Sequence, residues 1–538
     1  MRYKDMTIEE INLVIKRVED AIKFELALTS DDLVLLLDAF KSCLHIQEQL
    51  SDKDVTILKL KKLLGIVTSS EKISNLKTKE DSTESKKSDP LHKSRKRVRS
   101  KKPAFPPKKP EIRHHRLKKY AKGNDCPCCS NGKLYKFEPS QFTRIVGAAP
   151  FSATVHISER LKCNQCDKYY TAELPEEVKN DGKSGQKYGY SARALIGIYK
   201  YFTGFPFYRQ ETLQNMLGIP ITTSTQVNQS EYLANAGSPI HKALIKDAAN
   251  APHFHEDDTK NKIVDERPKM MKKRGSDGEH MRSGIYSSGV IATTKEDRDI
   301  VLFKTNIGYS GEFLDEILAH RDLSLPSPTL MSDALYSNKP TKISVKWSKC
   351  NVHARREFFN LSSSYHEEAA HIVSEYDKIF AFEAESKKAK HSKKDRLIYH
   401  KKHSLPILEG IFKWCEEKLT EQIAEANGPL AKACNYILNN KDGLQKFCEI
   451  EGAQIDNNKM ERILKMVILG RKNFHVFRTL VGAAISDTIL SLAATAYSSG
   501  VNIFEYFVAI QRYNEHVKEN PHLWFPWKYE ETVAGLSA

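Results

Sequence analysis

No apolar leader opens this chain. Its first ten residues, MRYKDMTIEE, carry acids and lack a hydrophobic stretch, so no secretory signal peptide is expected there. Long hydrophobic runs are nearly absent too. The exception is TLVGAAISDTILSLAATAYSSGV (479–501), about long enough to span a bilayer. Asp487 and several Ser and Thr interrupt it, so a buried helix is the expected reading. Nor is there a disulfide framework. The ten cysteines comprise two CxxC pairs and a scatter of others, which suits a metal site in a reducing cytoplasm. An excess of acid is missing as well: 84 Lys and Arg stand against 68 Asp and Glu, a net charge of +16. An anionic partner is expected. At 538 residues, 40% of them hydrophobic, the chain has the material for several cores and hence several domains.

The positive charge is concentrated. Segment 93–119 holds thirteen Lys or Arg and one acid, Glu111. It lies within 67–119, which is rich in Ser, Lys and Pro and poor in large apolar residues, so a disordered basic linker is expected. Lys93, Arg95, Lys96, Arg97, Arg99, Lys101 and Lys102 would follow phosphates without reading sequence, unless the segment serves solubility alone. Before it, residues 1–66 read as helical. Leu36, Ala39, Cys43, Ile46, Leu50, Ile57, Leu60 and Leu64 keep heptad steps, with Lys53 in one slot. That seam fits a leucine-zipper-like coiled coil in a homodimer or higher oligomer, or packing on the chain's own first helix.

After the basic linker comes the pair Cys126 and Cys129, and then the pair Cys163 and Cys166, with Cys163 34 positions after Cys129. Two such turns can close a tetrahedral thiolate site, so region 120–175 is expected to be a zinc ribbon with one structural Zn²⁺. Cys128 is a spare thiol beside it. Region 176–250 reads as helical. A helix ending at Leu217, a Gly218 turn and a cap near Thr222 or Thr223 have helix-turn-helix-like spacing, which any helical hairpin shares. Arg209 is a DNA-contact candidate there.

From residue 251 the periodicity changes. Strands are expected near 252–257, 284–294, 299–306 and 327–334, with a helix at 311–321 and another from Val352. The β-β-β-α-β-α order is that of an RNase H-like core, in which strands one and four are neighbours. Asp257, in HFHEDDT, and Asp333, in LMSDALYSN, end those two strands. Glu256 and Asp258 compete with Asp257 for the first place. Glu461 lies four residues after Asn457 on a later helix and shares its face, with Lys465 following. Residues 360–450 read as an all-α insertion within a catalytic domain spanning 251–520, and 521–538 as a tail. Clustered carboxylates suit two Mg²⁺ ions, with Mn²⁺ as substitute, and phosphodiester chemistry. Singly, each acid can equally be a solvated strand end or a helix cap. Cys350 and His353 form half a metal motif or a helix-start packing pair. Arg355, Arg356, Arg471 and Lys472 suit phosphate contacts or ion pairs with the insertion.

These motifs together resemble the insertion-sequence sixty-six family of bacterial DDE transposases. The likeness runs through the zipper-like N-terminus, CPCC with its partner CxxC, GFPFYRQETLQNMLGI, HEDDT, MSDALYSN, CNVHARREF and DNNKMERILKMVILGRKNF. The family's usual D-E-T context is Asp257-Asp258-Thr259 here. The resemblance implies an α+β multidomain chain with an RNase H-like core, Mg²⁺ dependence, and binding of double-stranded DNA at terminal inverted repeats and target sites. Asp257, Asp333 and Glu461 would be its metal-holding catalytic acids. Accessory proteins and a cytoplasmic, nucleoid-associated location fit that reading. Two rivals remain: a structure-specific nuclease with the same core, and a non-catalytic DNA-binding regulator.

Overall fold

The computed structural model describes residues 186–272, 278–420 and 428–537 continuously, with shorter stretches at 13–18, 20–21, 27–37, 122–124, 133, 150–162 and 169–182. The four CxxC cysteines, the basic segment 93–110 and the seam beyond Leu37 lie outside these residues. Packing divides the chain into two units. One draws on 1–88, 355–378 and 421–433, the other on 89–354, 379–420 and 434–538. Within the first, Arg17 pairs with Asp32 at 2.6 Å and Arg355 with Asp377 at 3.0 Å.

Alternating side chains build the second unit around a five-stranded sheet. Its strands are β1 (His253–Asn261), β2 (Ile285–Thr293), β3 (Asp299–Asn306), β4 (Thr329–Ser332) and β5 (Lys346–Lys349). Their spatial order is β3-β2-β1-β4-β5. β1, β2 and β3 pair antiparallel, whereas β4 runs parallel to both β1 and β5. Phe254, Val290, Ala292, Ile300 and Leu302 point to one face and join the larger core. Ile291, Val301 and Phe303 point to the other and form a second core. Strand β5 and a short hairpin, Lys269–Lys272 with Glu279–Arg282, are additions to the expected order.

Ahead of the sheet come α1 (Tyr190–Gly197), α2 (Phe207–Met216) and α3 (Thr223–Ala248). Gly218, at φ +79°, makes the turn between α2 and α3, and the Thr222 side chain caps α3. Helix α4 (Ser310–Leu318) follows β3, and α5 (Asn351–Phe359) follows β5. The stretch expected to be an insertion contains α6 (His366–Ala389), α7 (Lys393–His403), α8 (Leu405–Thr420) and α9 (Pro429–Asn439). The chain then returns to the sheet with α10 (Asn458–Phe474), α11 (Leu480–Ser498) and α12 (Ile503–Arg512).

Helix α11 is the apolar run noted in the sequence, and its polar residues explain why it packs here. Edge strand β3 leaves alternate amides without a strand partner. Thr495, Ser491 and Asp487, one turn apart, accept from the backbone N–H groups of Val301 (3.0 Å), Phe303 (2.9 Å) and Thr305 (2.7 Å). The helix thereby seals the sheet edge that would otherwise invite pairing with another chain. Among the described residues it is the one helix long and apolar enough to cross a membrane, and 67% of its most apolar window is buried.

Candidate active site

Register brings the first two acids together. His255 on β1 pairs with Met331 on β4. Two residues further along each strand stand Asp257 and Asp333, so parallel pairing holds them level although 76 positions separate them. Asp257 shares the face of His255, Gly289 and Ile291. Glu256 and Asp258 turn to the opposite face, so of the three neighbouring acids Asp257 is the one on the His255 side of the sheet. Glu256 is fully buried, and burial pushes its carboxyl well above the ordinary range.

Helix α10 delivers the third acid to the Asp257 face. Glu461 stands in its first turn. The α10 N-terminus is fixed by Asn457, which is 1% exposed. Its side chain donates to the Glu256 carbonyl at 2.8 Å, and its oxygen lies 3.2 Å from His255 Nδ1. Its backbone N–H donates to Cys350 Sγ at 3.3 Å. Directly below, Gly289 pairs with Asp257, and a Cβ at Gly289 would collide with Met460 Cε. The absence of a side chain at position 289 leaves room for the end of the Met460 side chain between helix and strand.

Asp333 follows the last residue of β4. Asn338 donates to its Oδ1 at 2.5 Å, and the Leu335 N–H at 3.1 Å. Asn338 is itself buried and held by Ser310 at 3.0 Å. The motif MSDALYSN thus encodes both the acid and its anchor. Among the described residues no Lys or Arg forms an ion pair with Asp257, Asp333 or Glu461. Burial pushes the Asp257 carboxyl up to about 7; the Asp258 N–H opposes this, while charge on Asp333, Asp258 and Glu461 adds to it. Burial raises Asp333 also, against the Leu335 N–H, His353 and Asn338. Uncompensated carboxylates of this kind suit a divalent cation with oxygen ligands.

The sequence offered Cys350 and His353 as half a metal motif with no second half nearby. The structure brings Glu461 to them: ligand atoms of Cys350, His353 and Glu461 all lie within 4.8 Å of one another. Burial pushes the Cys350 thiol up to about 12, so it stays a thiol and packs under α10. His353, beside both Asp333 and Glu461, joins the site. Sequence reasoning missed Asn338, Asn457 and His353 as parts of this arrangement. The local signal for the two asparagines was an amide inside a motif chosen for its acid, and for His353 the C-x₂-H spacing with Cys350.

The expected DNA contacts divide. Lys465 and Lys472 are exposed on α10. Arg471 is half-buried and donates to Thr259 Oγ1 at 2.9 Å and to the Lys260 carbonyl. Arg209 is exposed, its Nε donating to the Tyr208 hydroxyl at 2.9 Å. Arg355 is turned inward: it is 7% exposed, with Nε 3.1 Å from Asp377. Its guanidinium is engaged within the protein and is not presented to a duplex. Arg356 is half-buried on the same helix.

Comparison with known proteins agrees with this picture. The family model described as Transposase IS66 family matches residues 185–485, which run from α1 into α11. The chain belongs to that family, and its function is of the transposase type. Two proteins of Sinorhizobium fredii (strain NBRC 101917 / NGR234) are similar over most of their length. Uncharacterized protein y4hP is 21% identical over 435 residues, covering 76% of this chain and 74% of the relative. Uncharacterized protein y4jD is 23% identical over 400 residues, covering 72% and 73%.

Proposed function

We propose that this chain is a DNA transposase that cleaves at terminal inverted repeats and joins the resulting 3′ ends to target DNA. The observation that carries the proposal is the convergence of Asp257, Asp333 and Glu461 from three distant segments into one uncompensated carboxylate group. The strand order, with one acid on β1, one just past β4 and one on a helix beyond an all-α insertion, supports an RNase H-like core.

Asp257 and Asp333 would hold two Mg²⁺ ions jointly, and Glu461 would complete the shell of one. Bound there, the ions supply Lewis-acid polarisation of the phosphodiester and lower the pKa of the attacking hydroxyl. The protein's own groups do the rest. Asn338 fixes the Asp333 carboxylate, and Asn457 with Gly289 sets how closely Glu461 approaches β1. His353, with a ring nitrogen within 4.8 Å of a Glu461 carboxylate oxygen, would stand beside a phosphate held at the acids. Lys465 and Lys472 line the approach as phosphate contacts. Both cleavage and joining are in-line displacements at phosphorus, so one constellation serves both.

Around this core we assign one structural Zn²⁺ to Cys126, Cys129, Cys163 and Cys166. Sequence-independent phosphate binding falls to the 93–110 arm, dimerisation to the N-terminal heptads, and the cytoplasm is the expected compartment. Elemental analysis of purified protein checks the zinc, with about one ion per chain expected and loss of it in Cys163→Ser. Neutralising arm residues should lower the slope of log K against log salt by about 0.9 for each phosphate that the arm no longer neutralises.

The deciding experiment incubates purified protein with Mg²⁺, a labelled duplex carrying the ends that flank its gene, and a target plasmid. Cleavage followed by covalent joining is expected. Cleavage without joining indicates the nuclease, and specific binding without either reaction indicates the regulator.

A further inference from the structure

Beside the acids lies a cavity of about 540 Å³ whose walls include Asp258, Thr259, Tyr286, Tyr309, Leu335 and Arg471. We propose that it receives one unstacked nucleobase from the DNA end being processed, an inference that rests on the transposase reading above. Its size lies within the range of small-molecule sites. Its chemistry suits a nucleotide and not a bare phosphate. Lys260 and Arg471 bring positive charge to the wall for a phosphate, while the Asp258 carboxylate can accept from an exocyclic amine and two tyrosine rings stand beside it. The Tyr286 and Tyr309 rings lie 4.9 Å apart at 45° and supply the stacking surface. Arg471, fixed by its bonds to Thr259 and Lys260, brings a cation to the same wall for the phosphate attached to that base.

The aromatic wall is built before any ligand arrives. The Arg282 guanidinium lies 4.7 Å from the Tyr309 centroid and is held by Glu312 at 2.7 Å. Glu312 in turn accepts from the Tyr309 N–H at 2.9 Å. A second feature indicates how a base would leave its stack. Leu335 and Tyr336, two and three residues after Asp333, are each 59% exposed. Behind them, buried Asn338 anchors the turn to Asp333. Apolar side chains displayed beside a polyanion's reaction site serve as a wedge between base steps, opening the duplex where the cavity can capture the freed base.

The test uses the full-length chain and duplexes bearing the ends that flank its gene. 2-Aminopurine is placed singly at each of the positions adjoining the cleaved phosphodiester. Fluorescence is read in a Glu461→Gln background, where cleavage is stopped. A change confined to one position is expected, lost in Tyr286→Ala and Tyr309→Ala and kept in Tyr286→Phe. In the otherwise native protein each alanine variant should cleave about 5- to 150-fold more slowly, the range one base–aromatic stack supplies. A mismatch at the responding position should recover part of that rate. Native-like cleavage by both alanine variants, or no position-specific change in a complex whose native form cleaves, overturns the base pocket alone. If the native protein does not cleave these ends at all, the transposase reading falls and the pocket falls with it.

Discussion

Two carboxylate clusters in this molecule, one buried and one half-buried, have opposite fates. In the insertion, Glu383 on α6 is 4% exposed, yet it lies 2.8 Å from each of Lys387, Arg396 and His400. Burial pushes its carboxyl up, but the His400 hydrogen bond and the charges of Arg396 and Lys387 outweigh this and hold it at about 2. At the sheet, burial drives the Asp257 carboxyl up to about 7; the Asp258 N–H opposes this and the neighbouring acids add to it, with no cation against it among the described residues. The first cluster has its compensation built in and stays ionised. The second has no Lys or Arg ion pair among the described residues, and carboxylates raised in this way mark a candidate site for a ligand from outside the chain. A carboxylate is thus a strut in one place and, in the proposed reading, a ligand-holding group in the other, and what separates them is a neighbouring cation.

The largest effect expected from this contrast is on chemistry. Asp257→Ala, Asp333→Ala or Glu461→Ala should lower cleavage and joining by at least about 10³-fold, as loss of one member of a cooperating set does. Each variant should melt no lower than the native protein, because a repelling charge has been removed. Gel assays of both reactions, set beside a thermal melt, check this. A variant inactive only because it has unfolded would count against the assignment. The insertion cluster should behave inversely. Glu383→Ala leaves His400 and Arg396 buried without their partner and should cost about 3–5 kcal/mol of stability. Activity per folded molecule should be retained. Denaturant unfolding reads the first quantity and active-site titration the second.

Geometry gives the next effect. Gly289→Val forces α10 away from β1 by pushing on Met460, and Glu461 moves with the helix. A displacement near 1 Å at a reacting centre costs about 10²-fold in rate. Cleavage should therefore fall by that order, with DNA affinity, read by filter binding, unchanged. Equal loss of binding would show that position 289 serves the fold and not the placement of Glu461.

How much of this was visible beforehand follows from how local each signal is. The three acids sat in short motifs. Alternation in GIYSSGVIATT and DIVLFKTN marked β2 and β3, and strands one and four are neighbours as that order required. Helical periodicity between 360 and 450 marked the insertion. Strand β5, KWSK, was invisible because an edge strand of four mostly polar residues carries no alternation. The Lys269–Arg282 hairpin has strands of only four residues, too short for alternation to announce it, although Met270 and Met281 pair across it. Asn457 was seen only as a neighbour of Glu461 on one helical face, because its partners His255 and Cys350 lie 202 and 107 positions away. The sealing of β3 by α11 was likewise unreadable. A Thr, a Ser and an Asp spaced by one helical turn look like interruptions of an apolar run until a strand edge is laid against them.

Asp487 lies between the two clusters in kind and yields the smallest effect. It is 9% exposed, accepts from the Thr305 N–H and hydroxyl at 2.7 and 2.8 Å, and has no direct ion pair among the described residues. Burial pushes its carboxyl up to about 7 although those two donors and the more distant Lys304 oppose it. A folded pKa raised above the unfolded value means that the folded state binds more protons between the two. Stability from this group is therefore fully present below about pH 4 and is lost as pH rises towards 7. The loss is at most about 1.4 kcal/mol for each pH unit crossed. Asp487→Asn keeps an acceptor for the Thr305 amide and removes the titration. Asp257 and Asp258 titrate in the same window, so the measurement is the difference between native and variant unfolding free energies at each pH. That difference should shift in the variant's favour from pH 4 to 7 and level off above. A difference independent of pH would mean that hydrogen bonds alone hold Asp487 ionised, and that a buried acid needs donors, not a cation, to become a strut.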